Sequence, residues 1–199
     1  MEITNVTYRG PELTDAATLE SLPQNLKGLL SSLNGFIQYG GGLHVRGAAH
    51  EPSWHSIAEV WTGSLSLSKL YPEVLQTDVP FAQDCVGDQF LLRNGQVWRL
   101  SAETGQVENL ELGLKSFFVA CAENPVKFLS MEPLLQLQRE GRSLEPGQLI
   151  HAYPPFCTKE AAHGVSLKAV PAAELIGFHA ELAAQLPPDG EQFEVRWEQ

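Results

Sequence analysis

Asn94-Gly95 stands between two runs of five residues, Gln89-Phe90-Leu91-Leu92-Arg93 and Gln96-Val97-Trp98-Arg99-Leu100. Both turn residues tolerate positive φ, so the pair specifies a type I′ turn whose twist matches the strands it joins. This hairpin is the strongest constraint in the chain. A second punctuation, Ala102-Glu103-Thr104-Gly105, leads to a third strand over Gln106–Leu110, and Phe81 opens an apolar segment ahead of the hairpin. Regular turn spacing of this kind predicts an antiparallel meander.

Helical spacing flanks the meander. In LPQNLKGLLSSLNGF, Leu22, Leu26, Leu29, Leu30 and Leu33 recur at helical intervals, Pro23 suits a first turn and Asn34-Gly35 stops the helix. FIQYGGGLHVRG then reads as two short strands around Gly40-Gly41-Gly42. The stretch from Ala48 to Thr77 is loop-like, with short helices at Ser56–Trp61 and near Leu67–Tyr71. Leu114–Glu123 closes the meander as a helix, and Val126–Arg139 predicts another, kinked at Pro133. The stretch from Gly141 to Gly164 is rich in Gly and Pro and reads as an ordered loop or short-strand crossing. SLKAV follows as a strand, and Ala172–Leu186 as a helix between Pro171 and Pro187. The tail Gln192–Trp197 alternates Phe193, Val195 and Trp197, a strand pattern. Strands do not alternate regularly with helices, which excludes a doubly wound parallel sheet. The expected class is α+β: an antiparallel-rich twisted sheet with helices packed on one face, plus a helical C-terminal extension.

Composition narrows the function. No segment approaches the run of roughly 18 apolar residues that spans a bilayer, and the N-terminus lacks the basic start and apolar stretch of a secretory signal. A cytoplasmic protein is expected. The three cysteines, Cys85, Cys121 and Cys157, form no metal-binding spacing and fit reduced, packed thiols. A net charge of −11, from 24 acids against 13 bases, repels nucleic acid and favours basic protein partners.

Several stretches invite a catalytic reading. Asp84-Cys85-Val86-Gly87-Asp88 sets a thiol between two carboxylates, which disfavour a thiolate; a nucleophile needs the opposite setting. Gly87-Asp88 is simpler as a turn or bulge whose carboxylate accepts backbone N–H bonds. His44, His50 and His55, with Glu51, lack helical or strand ligand spacing and read as surface or loop histidines, with no metal expected. The sequence has no nucleophile elbow, phosphate loop or dinucleotide fingerprint. No catalytic residue and no cofactor is assigned. Glu51, Trp54, His55, Glu59 and Trp61 form an aromatic and acidic stretch suited to anchoring a partner.

The order of these segments resembles the SMI1/KNR4 family, the SUKH superfamily. The resemblance rests on the helix ending in Asn34-Gly35, the Phe81–Asp88 lead-in with Gly87-Asp88, the hairpin at Asn94-Gly95 and the helix at Leu114–Glu123. It covers roughly residues 20–130, giving a domain over 1–130 and an extension over 131–199, packed on the first domain. The resemblance implies an α+β fold without enzymatic activity. It also implies a bacterial immunity protein that binds and neutralises a cognate toxin, often a nuclease; a regulatory scaffold of the same fold is the alternative. No catalytic residue transfers, so Asn34, Gly35, Gly87 and Asp88 carry over as structural positions. The toxin partner is expected to be basic, engaged through the loop from Ala48 to Thr62 or the stretch from Glu145 to Gly164, with no nucleic acid or membrane bound.

Overall fold

The computed structural model describes residues 3–186. In chain order its elements are β1 (Val6–Arg9), α1 (Ala16–Ser21), α2 (Gln24–Ser32), β2 (Phe36–Gln38), β3 (Leu43–Val45), α3 (Ile57–Trp61), α4 (Leu67–Leu70), β4 (Val79–Asp84) and β5 (Gln89–Arg93). There follow β6 (Gln96–Leu100), β7 (Val107–Gly113), α5 (Leu114–Glu123), α6 (Pro125–Phe128), α7 (Glu132–Arg139), β8 (Gln148–Tyr153), β9 (Ser166–Pro171) and α8 (Ala172–Gln185). The expected strand at Gln192–Trp197 lies outside the described residues.

The first seven strands form one antiparallel sheet in sequence order, so each strand pairs with its chain neighbours. The Asn94-Gly95 hairpin closes as expected: Arg93 faces Gln96 in register, and Asn94 and Gly95 take φ of 51° and 81°. β8 and β9 pair as a separate two-stranded ribbon.

Strand alternation sorts the apolar residues onto two faces. Phe90, Leu92 and Val97 point into one core with Phe36, Leu43 and Phe81. Leu26 and Leu30 of α2, Phe117 and Phe118 of α5 and Leu134 and Leu137 of α7 close over it. Phe117 is its hub, with ring centroids 4.8 Å from Phe90, 5.5 Å from Phe81 and 5.6 Å from Phe128. Leu91 and Leu100 point the other way, into a second core with Leu67, Tyr71 and Val74 from the α4 region and Ile176 and Ala180 of α8. The α+β class stands, and helices pack on the sheet as expected. The second face, which the sequence left open, is covered as well.

Residues beyond 130 join both cores. Ile150, Ala152 and Leu167 pack in the first, α8 supplies the second, and the Ile150 N–H donates to the Cys85 carbonyl at 2.8 Å. The helix expected over Val126–Arg139 is broken into α6 and α7, with Ser130 at φ 48° between them. Of the two readings of Gly141–Gly164, the strand is realised as β8, whose apolar Leu149, Ile150 and Ala152 are buried. β1 was not foreseen either.

Truncating the hub tests this layering. Phe117→Ala should cost about 3–5 kcal/mol in urea unfolding, whereas Val119→Ala on the same helix, 45% exposed, should change stability by less than about 0.5 kcal/mol. Equal effects would remove Phe117 from the centre of the core.

Candidate functional site

The stretch Asp84–Asp88 is a turn built around carboxylates. Asp84 Oδ1 accepts the backbone N–H groups of Val86, Gly87 and Asp88 at 3.0, 3.0 and 3.1 Å. Gly87 sits at φ 96°, a region that L side chains rarely adopt, and a Cβ there would press on the ring of His179 at 3.4 Å. Asp88 Oδ1 accepts from Ala102 N–H, and its Oδ2 accepts from Arg99 Nε and Nη2 at 3.0 and 2.6 Å. Arg99 also reaches Ser130 Oγ at 3.1 Å. Burial, then the neighbouring Asp88, pushes the Asp84 carboxyl upward, against the pull of Arg99 and the amides. Burial and Asp84 likewise raise the buried Cys85 thiol well above its ordinary value. The unit ties β4, β5, β6 and the start of α7 together, and its thiol is held protonated. Cys121 and Cys157 are each pushed up to about 12, burial being the first cause for both and Glu103 adding to it at Cys157. Of the three, Cys157 is exposed.

The histidine stretch is placed differently from expectation. His50 is exposed, but His44 and His55 are buried, and they belong to one hydrogen-bonded chain. Arg46, 1% exposed, donates to Gln83 Oε1, Gln89 Oε1 and the Pro80 carbonyl. With its oxygen on Arg46, Gln83 turns its amide Nε2 to His44 Nδ1 at 3.2 Å. His44 Nδ1 therefore accepts, so Nε2 carries the proton and donates to His55 Nδ1 at 2.9 Å. By the same logic His55 Nε2 donates to the Asn34 carbonyl at 2.9 Å. The Asn34 side chain completes the chain: its Nδ2 donates to the carbonyls of Pro11, Glu12 and Ala48, and its Oδ1 accepts from Ala48 N–H. Gly35 lies against the same ring, where a Cβ would stand 2.5 Å from His55 Nε2. Asn34-Gly35 thus does more than end a helix. Burial first, then the Arg46 charge, holds His44 well below its ordinary value; burial also lowers His55, against its hydrogen bond to the Asn34 carbonyl.

The residues expected to anchor a partner are mostly structural in their contacts. His55 is 0% exposed and has no surface to offer, which corrects its assignment. Trp54 is half-buried, 5.3 Å from the Tyr8 ring and 5.2 Å from His44, and it fills the space a Cβ on Gly147 would need. Trp61, also half-buried, packs on the first core and donates its indole N–H to the Gln76 carbonyl at 3.1 Å. Glu59 accepts from the Ser64 hydroxyl. Glu51 alone is exposed, accepting from Ser53 N–H at 3.2 Å.

The exposed aromatics lie elsewhere, in the stretch from Glu145 to Gly164. Tyr153 is 63% exposed and Phe156 39% exposed, at the end of β8. Glu103, from the β6–β7 turn, fixes the loop: its carboxylate oxygens accept Phe156 N–H at 3.0 Å and Cys157 N–H at 2.7 Å. Behind it, buried His179 approaches Glu103 Oε1 at 4.0 Å. Burial lowers His179 to about 4, with His151 adding to the shift. The aromatic content of YPPF was legible as a signal; the carboxylate holding it, 54 residues from Cys157 in the chain, was not. Among the described residues no group of three or more His, Cys, Asp or Glu is arranged to hold a metal.

No family model matches the sequence, and no curated protein matches it. The crystal structure of Atu4351 from Agrobacterium tumefaciens is similar in fold, with a TM-score of 0.54 over 93% of this chain and 91% of that one. The two are 10% identical, so the likeness concerns the fold alone.

Two measurements follow from this geometry. Long-range ¹⁵N–¹H spectra should show both His44 and His55 as Nε2–H tautomers at pH 7; an Nδ1–H form of either would break the chain of donors. For His179, the folded value lies below the ordinary one of about 6.5, so the unfolded chain binds the proton first. Its contribution to stability is present above pH 6.5 and is lost as pH falls towards 4, at up to about 1.4 kcal/mol per pH unit. The difference in unfolding free energy between wild type and His179→Gln should therefore shrink or turn negative across that range. A pH-independent difference would contradict it.

Proposed function

We propose that the protein is an immunity protein of the SMI1/KNR4 type, which acts in the cytoplasm by binding and neutralising a basic protein toxin without catalysis. The observation that carries this reading is the pair Tyr153 and Phe156, exposed on a loop held by Glu103, on a molecule with net charge −11. Aromatic side chains on a fixed backbone supply contact area at low entropic cost, as binding anchors do. The acidic field speeds encounter with a basic partner and matches its potential. The order of sequence motifs set out above supports the family assignment. No helix among the described residues is long and apolar enough to cross a membrane.

The test is expression of the C-terminal domain of a large secreted protein encoded beside this gene, in a susceptible host, with and without this chain. Rescue of growth together with co-purification supports immunity by binding; toxicity that this chain does not relieve overturns it. With the partner in hand, Tyr153→Ala combined with Phe156→Ala should weaken binding by at least ~30-fold, on the order of 2 kcal/mol, at an unchanged melting temperature. Undiminished affinity would move the interface away from this loop.

A further inference from the structure

β7 is an outer strand of the seven-stranded sheet, paired with β6 on one side and with no second strand among the described residues. Alternate backbone N–H and C=O groups of an outer strand point away from the sheet and can pair with an added chain. The usable window is its first half. Val107, Glu108 and Asn109 face Leu100, Arg99 and Trp98 in regular register, after which two extra residues bulge out before Leu112 meets Val97. The bulge is fixed: Glu111 sits at φ 57°, its N–H donates to Asn109 Oδ1 at 2.8 Å, and Asn109 Nδ2 donates to Gln96 Oε1 at 2.8 Å.

Beside this window lies a cleft of about 420 Å³ between the sheet and α5–α6. Its floor is apolar, from Phe90, Leu110 and Phe128, and Arg99, Glu123 and Lys127 also line it. Arg99 is already committed to Asp88 and Asp84. Its register partner Glu108 is exposed, as are Glu111 and Glu123, with Lys127 the remaining cation of the lining. Acid therefore exceeds base around an apolar slot that adjoins unpaired backbone.

We propose that β7 and this cleft bind an extended, basic segment of a partner protein, which adds to the sheet at Val107–Asn109 and lays a lysine or arginine stem on Leu110 and Phe128. A long cationic side chain matches both parts of the slot, since its methylenes suit the apolar floor and its charged end suits Glu108 and Glu123. A second copy of this chain is disfavoured by the same residues, because Glu108 and Glu111 would meet their own counterparts across a twofold axis. The inference deepens the proposed function, on which it rests for the basic character of the partner, by naming a further surface and the form of the segment it takes.

The probe is an acetylated, amidated nonapeptide of alternating lysine and valine, with the same peptide N-methylated at alternate residues as its control. Titration into the full chain should show saturable binding, and hydrogen exchange should slow at Val107–Asn109. The N-methylated peptide should bind at least ~10-fold more weakly, as should the unmodified peptide to Glu108→Lys combined with Glu111→Lys. Ala120→Leu, which narrows the cleft without touching charge, should also weaken binding, with thermal melts confirming that each variant folds. No saturable binding, equal binding of the N-methylated control, or protection confined to other amides overturns the proposal. So does protection at these amides that rises with protein concentration in the absence of peptide, since a second copy would then hold the edge. The outcomes separate from those of the rescue experiment: peptide bound at β7 without rescue removes the immunity reading and leaves this site. Rescue by the charge-reversed variant at full strength removes this site and leaves immunity.

Discussion

A single buried cation sets the direction of every donor in the polar core. Arg46 has donors and no acceptor, and it is enclosed among Gln83, Gln89 and the Pro80 carbonyl with no carboxylate among these partners. Both glutamines must show it oxygen, which leaves the Gln83 amide nitrogen for His44 and the Gln89 amide nitrogen for Gln83 Oε1 and the Gly87 carbonyl. From there each imidazole has one tautomer open to it, and the chain ends on the Asn34 carbonyl. Protonating either ring would place two hydrogens in one bond, beside a charge already present. The same constraint lowers Arg46 itself, to about 9, through loss of solvent. Charge in this region is therefore limited to one group, and the neutrality of the histidines follows from the orientation of the glutamines.

The chain spans a structural gap that apolar packing does not reach. His44, Gln83 and Gln89 belong to β3, β4 and β5 and Asn34 follows α2, so the network joins three strands to the β1–α1 connection, with Arg46 Nε its one buried side-chain atom that lacks a partner. One unpaired buried polar atom costs about 1–3 kcal/mol, a cost that Arg46 Nε carries and that the rest of the network avoids. The Asp84 turn continues the chain at the C-terminal end of β4, where one carboxylate closes the β4–β5 connection and Asp88 with Arg99 anchors β6 and Ser130. β4 is thus held by polar chemistry along one surface and by Phe81 in the core on the other.

Local signals were legible where one element decides its own conformation. Asn94-Gly95 fixed the hairpin because positive φ is a property of two adjacent residues. Leu114–Glu123 matched α5 end to end, since its apolar spacing and Asn124-Pro125 act within a few turns. His44 and His55 read as surface or loop histidines because their spacing fits no common ligand pattern, and spacing carries no information on burial. The side of β3 that carries His44 is covered by Trp54, Tyr8 and the polar chain itself, through contacts 10 to 47 residues apart in sequence. β8 is intermediate: its flanking Gly and Pro left loop and short strand both open, and pairing with β9 decides between them.

The same distinction separates the two surfaces that remain available to a partner from the one the sequence favoured. Trp54 and Trp61 are large and aromatic, but each has a covalently distant neighbour that claims it, Gly147 for the first and the Gln76 carbonyl for the second. Glycine at 147 is what lets the Trp54 ring approach, so a residue without a side chain decides the fate of the most anchor-like one. Tyr153 and Phe156 escape that fate because Glu103 binds their loop through backbone amides and leaves the rings outside. Side-chain type alone does not mark an anchor; an aromatic becomes one when the backbone beneath it is held by something other than the ring.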